Sequence, residues 1–159
     1  AQKDIDADWT KKNGERHFGY KDHVKCDADS KLITNYSVTS ASVHDSQRCL
    51  VFIGQEDEVL YADSAYSGKP IALALPENCK NQICEKGYRN SPLTSEQKMN
   101  NRRKSRIRCR IEQIFGFMTG AMHGITIRSI GITRAWMNIG ITNLVYNFCR
   151  YSYLKRASA

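Results

Sequence analysis

Val59-Leu60-Tyr61-Ala62 runs directly into Asp63, and this stretch decides the fold class. Four apolar residues in succession, ahead of a charge, fit a short strand buried on both faces of a mixed or parallel sheet. The strand is expected over 58–63. A carboxylate directly after it stands at the strand's carboxyl end, the edge where open α/β sheets bind ligands. Asp is equally at home as a turn or cap residue, and 64–68 reads as a turn. Both roles stay open for Asp63 at this level.

Upstream, Phe18, Tyr20, Val24 and Cys26 alternate with His17, Lys21, His23 and Lys25, which is the period of a strand. Asp27-Ala28-Asp29-Ser30 is a turn cluster, and Leu32, Tyr36 and Val38 mark a second strand. Together they predict an antiparallel hairpin over 17–40. The first ten residues read as loop or extended chain, and Asp45 as the cap of a short helix through Phe52. Downstream, Pro70 opens a short helix, and Gln82-Ile83-Cys84 reads as a short strand within an otherwise irregular segment. Thr94 and Gln97 form a capping box. Ile107, Ile111, Ile114 and Met118 then recur as one apolar stripe, which predicts a helix over 95–119. A last helix is expected over 133–151, with Met137, Ile141, Leu144, Phe148 and Tyr151 as its core stripe. Strands followed by strand–helix alternation and two long helices argue for an α/β fold with helices layered on a central sheet.

The chain has 159 residues, 41% hydrophobic and 25% charged, which suits one globular domain. At that size neither disulfides nor a structural metal is needed for folding. The six cysteines form no C-x-x-C pair and read as reduced thiols of a cytosolic protein. No apolar run approaches the roughly 18 residues of a membrane span, and no signal peptide is visible. The chain opens on Ala1 without Met and reads as a piece of a longer protein. Its 24 Lys and Arg against 16 Asp and Glu give a net charge of +8, which favours a polyanionic partner.

The cations are concentrated. Arg102, Arg103, Lys104, Arg106, Arg108 and Arg110 place six positive charges in nine positions with no acid among them. Such a helix can neutralise phosphates with salt-dependent affinity, although a solvated helix face has the same composition. Lys21 and His23, with Lys25, form a weaker second patch. Glu112 borders the Ile stripe, four residues after Arg108, so it can face the sheet edge or form a surface ion pair. Two carboxylates, one from a strand end and one from a helix, suit Mg²⁺, a hard ion that keeps waters and phosphate oxygens in its shell. Two-metal phosphoryl transfer, with ions about 4 Å apart, needs a third carboxylate as well.

Several blocks carry a resemblance. They are Asp8-Trp9-Thr10-Lys11-Lys12, Phe18-Gly19-Tyr20-Lys21-Asp22-His23, Ala41-Ser42-Val43-His44-Asp45, Tyr61-Ala62-Asp63-Ser64-Ala65-Tyr66, Arg108-Cys109-Arg110-Ile111-Glu112-Gln113-Ile114-Phe115-Gly116 and Thr142-Asn143-Leu144-Val145-Tyr146-Asn147. In this order they resemble DDE-type transposases of bacterial insertion sequences, nearest to the insertion-sequence-five group of the insertion-sequence-four-like superfamily. The resemblance implies a ribonuclease-H-like fold: a mixed sheet flanked by helices, here lacking its first strand. It implies an Asp-Asp-Glu triad holding two Mg²⁺ or Mn²⁺ ions, endonucleolytic nicking at transposon ends, and strand transfer during DNA recombination. Asp63 and Glu112 map onto the second and third acids, as catalytic and metal-binding residues, and Arg108 onto the family's phosphate-side Arg. The implied partners are double-stranded transposon ends and target DNA, with a homodimer in the intact enzyme and no membrane. The implied location is the bacterial cytoplasm, at the nucleoid.

The sequence departs from the family pattern at Ser105, where the family has Tyr, and at Thr119, where it has Lys. The first catalytic Asp is expected upstream of Ala1. Asp6, Asp8, Asp27 and Asp29 do not fit that place, since they precede the hairpin's first strand or lie in its turn. The 159-residue chain is therefore expected to be a partial catalytic domain, inactive alone. Its main competitor is a non-catalytic DNA-binding remnant; a stand-alone nuclease of the same fold is a third reading.

Overall fold

The computed structural model describes residues 3–12, 14–124 and 126–158. The chain is α/β and divides into two compact units, one formed by Ala1–Asp45 with Ile114–Ala159 and the other by Ser46–Gln113.

In the first unit β1 (Asp8–Lys12), β2 (Glu15–Cys26) and β3 (Ile33–Ser40) form an antiparallel sheet in that order. The opening segment, read as loop or extended chain, supplies β1. Trp9 lies opposite Phe18, their ring centroids 5.2 Å apart, a cross-strand aromatic pair of the kind that stabilises sheets. β2 pairs with β1 up to Gly19 and with β3 from Tyr20 onward. Gly19 has φ +147, a conformation that favours glycine, at the residue where the strand changes partner. In the turn between β2 and β3, Asp27 Oδ1 accepts hydrogen bonds from the Ser30 N–H and hydroxyl at 2.7 and 2.5 Å.

Helix α5 (Ile132–Ala157) packs on β2 and β3. Its amino end is capped by acids from the start of the chain: Asp4 accepts from Gly131 N–H at 3.2 Å and Asp6 from Ile132 N–H at 3.0 Å. Further along, the Asn147 amide grips both backbone groups of Ile33, each at 2.8 Å. Arg150 and Tyr146 donate to the carbonyls of Ser30 and Lys31 at 2.7 and 3.0 Å.

These polar clamps select the buried face of α5, and it is not the expected stripe. Ala135, Ile139, Asn143 and Tyr146 are buried, whereas Met137, Ile141, Leu144, Phe148 and Tyr151 are more than half exposed. Gly140 belongs to the sheet-facing side, because a Cβ there would overlap the Tyr36 hydroxyl.

The second unit contains α1 (Ser46–Phe52), β4 (Val59–Leu60), a 3-10 turn (Ser64–Tyr66), α2 (Lys69–Ala74), β5 (Lys80–Asn81) and α3 (Ser95–Arg108). β4 and β5 are parallel. The sequence reading places the hairpin and strand 58–63 in one mixed sheet. The described strands instead form two separate sheets, β1-β2-β3 and β4-β5. The unit's core is Cys49, Ile71 and Ile83, with Ile53, Leu60, Ala62 and Tyr66 packed against it.

α3 starts at the Thr94–Gln97 capping box. It ends at Cys109, after which α4 (Arg110–Gly120) begins, so the helix expected over 95–119 is broken. The Cys109 carbonyl accepts from both Glu112 and Gln113 N–H, at 3.0 and 3.3 Å, which tightens the turn locally. All six cysteines are free thiols. Among the described residues no helix is long and apolar enough to cross a membrane.

Two predictions follow from the α5 interface. Asp22 faces Asn143, and both Asp22 Oδ2 and Asn143 Oδ1 are buried without a hydrogen-bond partner among the described residues. Burial pushes the Asp22 carboxyl up to about 6, against an ordinary value of 3.8. Below about pH 4 folded and unfolded chains both hold the proton and the group costs nothing; the cost grows between about pH 4 and 6 and is full above that. Asp22→Asn should therefore raise stability at pH 7.5 by about 1–3 kcal/mol and leave it nearly unchanged at pH 4, as read by urea unfolding at both values. The exposed apolar stripe of α5 should drive self-association at high concentration. Leu144→Glu should suppress it with little change in melting temperature, measured by sedimentation and thermal unfolding.

Candidate functional site

The Ser46–Gln113 unit contains both acids singled out by the sequence, and the β4–β5 ladder positions the first of them. Lys80, Gln82 and Cys84 donate N–H bonds to the carbonyls of Glu58, Leu60 and Ala62 at 2.8, 2.9 and 3.0 Å. The evenly spaced parallel pattern therefore continues past the two-residue strand to the residue before Asp63. Side chains alternate along such a chain. Leu60 and Ala62 point into the core cluster. Tyr61 faces the other way, towards α3, where it lines a groove with Arg103 and Ile107. Asp63, still extended at φ −72 and ψ 162, ends the run on the Tyr61 side. It is exposed, and its Oδ1 accepts the Ser64 N–H at 2.5 Å, capping the 3-10 turn. Strand end and turn cap, the two roles left open by the sequence, are here the same place.

Glu112 lies in the first turn of α4 with its side chain 61% exposed, and Arg108 Nη2 donates to its Oε1 at 2.9 Å. It forms the surface ion pair. The ladder register sets Asp63 level with Cys84, whose Sγ is 3.8 Å from Ser105 Oγ. Ser105 precedes Glu112 by seven residues, across the turn at Cys109. Among the described residues no contact joins Asp63 to Glu112, and no three His, Cys, Asp or Glu side chains gather as a metal set. In kind the two carboxylates fit Mg²⁺ or Mn²⁺; in number they are one acid short of a two-ion site.

The cationic run divides into side chains bonded within the protein and side chains left exposed. Lys104 Nζ donates to the Ile83 carbonyl at 2.9 Å and lies 4.0 Å from Glu85, so it ties α3 to the strand. Beside it, the Asn101 amide grips both backbone groups of Glu85, each at 2.9 Å. Arg108 is occupied by Glu112, and Arg110 is half-buried. Arg102, Arg103 and Arg106 are exposed and have no side-chain partner among the described residues.

The second patch is not an open face. His23 is 8% exposed, with Nε2 2.8 Å from Thr39 Oγ1 and Nδ1 3.8 Å from Asp45. Lys21 donates to the Val43 carbonyl at 2.8 Å and pairs with Asp45 at 3.3 Å. Residues 43–45 fold over this side of β2, and alternation within the strand alone could not show it. Tyr61, Gln82 and Asn100 also line the α3 groove and were not singled out by the sequence. Only the position of Tyr61 two residues before Asp63 signalled it.

A family model described as "Transposase DDE domain" matches residues 1–148. The chain belongs to the transposase DDE domain family. Among curated proteins, the transposase for insertion sequence element IS1106 of Neisseria meningitidis serogroup B is 34% identical over 117 residues. The match covers 72% of this chain and 40% of that relative, so the chain spans well under half of the relative's length. No solved structure matches the chain. Within this DDE domain, Asp63 follows the unit's core strand, and Glu112 follows the break at Cys109.

Proposed function

We propose that the chain is catalytic-domain sequence of an insertion-sequence transposase of the insertion-sequence-five group, one that nicks DNA and transfers strands with the help of divalent metal. The observation that carries this reading is the placement of Asp63. It directly follows an apolar strand segment whose inward residues pack the core, and stands at the carboxyl edge where α/β sheets bind ligands. Family membership and the relative's name support it. The proposed whole-enzyme architecture is the ribonuclease-H-like mixed sheet.

In this reading Asp63 and Glu112 are two of the three acids, and a third is required. Mg²⁺ or Mn²⁺ bound by such acids stabilises charge on the oxygens of the phosphodiester being cleaved. Arg108 holds the Glu112 carboxylate before substrate arrives. Arg102, Arg103 and Arg106 present charge to DNA phosphates at transposon ends and target. The exposed stripe of α5 supports a homodimer of the whole enzyme. The proposed setting is the bacterial cytoplasm, at the nucleoid.

A second reading has a specific observation behind it. Asp63 is engaged as a cap, Glu112 in an ion pair, and no metal set forms among the described residues. The 159-residue chain alone then acts as a non-catalytic DNA-binding piece.

In the full-length transposase, Asp63→Asn and Glu112→Gln should each reduce cleavage of terminal DNA below detection with Mg²⁺ or Mn²⁺. Thermal stability should barely move, since an exposed ion pair contributes little. Wild-type cleavage by Asp63→Asn would remove the assignment. Nicking by the 159-residue chain alone would remove the second reading.

A further inference from the structure

Between the strand ends and α3, within the Ser46–Gln113 unit, lies an open groove of about 390 Å³ lined by Tyr61, Gln82, Asn100, Arg103, Lys104 and Ile107. Its lining brings three chemistries together. Tyr61 and Ile107 supply an aromatic ring and an aliphatic wall. Gln82 and Asn100, from different elements, supply amides that both donate and accept hydrogen bonds. Arg103 supplies an exposed cation with no partner among the described residues, whereas Lys104 is committed to the Ile83 carbonyl and Glu85. No acid lines the groove.

We propose that this groove takes one unpaired nucleotide of a DNA strand, its base against Tyr61, its base edge to Gln82 and Asn100, and its phosphate on Arg103. This rests on the transposase reading and names the substrate element next to Asp63. The combination of aromatic ring and cation is how proteins hold single strands, since every base offers a π-face and every link a phosphate. The volume lies at the low end of the range for small-ligand sites, enough for one nucleotide. A duplex keeps its base faces stacked and presents only edges in its grooves, so it offers Tyr61 nothing to stack on. Alternation along the chain puts Tyr61 and Asp63 on one side, about 7 Å apart at two residues' rise. A nucleotide seated on Tyr61 thus lies within one nucleotide's length of the carboxylate.

The experiment measures binding of the full chain to fluorescein-labelled dT12, to the same backbone with abasic spacers, to a 12-base-pair duplex and to rU12, without metal. Tyr61→Ala should weaken dT12 binding about tenfold, leave abasic and duplex binding within twofold, and Tyr61→Phe should bind dT12 normally. Arg103→Gln should weaken dT12 and the abasic strand alike and lower the slope of log affinity against log salt by about one unit. Unchanged dT12 binding by Tyr61→Ala would overturn the proposal, as would an equal loss on the abasic strand or tighter binding of rU12 than dT12. Loss of the folded circular dichroism spectrum in Tyr61→Ala transfers the test to Gln82→Ala and Tyr61→Phe. With Tyr61→Phe normal, Gln82→Ala must then weaken dT12 and not the abasic strand, or the proposal falls. A failed cleavage assignment shows as wild-type cleavage by Asp63→Asn and a failed groove as unchanged dT12 binding by Tyr61→Ala, so the two failures are read in separate assays.

Discussion

The parallel ladder between β4 and β5 is the constraint on which the proposed site depends. Three carbonyls, those of Glu58, Leu60 and Ala62, accept alternate N–H groups from 80 to 84 and hold six residues of chain extended. Only in extended chain do side chains alternate, so these bonds direct Leu60 and Ala62 into the core and send Tyr61 to the opposite side with Asp63. A slip of one residue would reverse the assignment, placing a carboxylate in the core and an alanine at the edge. Burial of Leu60 and Ala62 against Ile83 and Ile71 opposes that slip. Core packing and the position of the acid are thus one choice of register.

Both units attach a helix to another segment's backbone by the same device, to β3 in one and to the chain after β5 in the other. Asn147 bonds both backbone groups of Ile33 in one unit, and Asn101 bonds both backbone groups of Glu85 in the other. A primary amide offers a donor and an acceptor at the spacing of a free N–H and C=O, so it closes a strand that has no further strand beside it. Each clamp is supported by a cationic side chain donating to a nearby carbonyl, Arg150 to Ser30 and Lys104 to Ile83. Apolar contact adds to these joints, while the amides fix which face of the helix is turned inward.

That device explains what the sequence made legible and what it hid. Alternation and turn chemistry mark 17–40, and the chain does turn at Asp27–Ser30 with β2 and β3 antiparallel on either side. The capping box at Thr94 is a local pattern and is found as such. Alternation cannot tell which side of β2 a distant segment covers, so His23 reads as surface and lies buried against Thr39. Periodicity assigns the apolar stripe of α5 to the core, but Asn143, Asn147 and Arg150 are what the sheet engages. The turn at Cys109 has no proline or glycine to announce it. The candidate acids were identifiable because a strand end and a helix border are local features. How near they come depends on which α3 residues meet the chain after β5, at Cys84 and Glu85, and spacing does not encode that.

The same contacts divide the charge of α3 by function. Of the six cations between 102 and 110, five lie in α3 and Arg110 in α4, and each one bonded within the protein must give up that bond to meet a phosphate. Lys104 fills the Ile83 carbonyl and Arg108 the Glu112 carboxylate, and replacing either bond by a phosphate would leave a half-buried carbonyl or an acid uncompensated. Arg102, Arg103 and Arg106 have no such cost. Arg102 and Arg106 lie four residues apart and Arg103 and Arg106 three, so all three fall within about 100° of arc on one face of the helix. In the proposed reading the helix is therefore part tether and part phosphate contact, and its total charge overstates the number of phosphates it would hold.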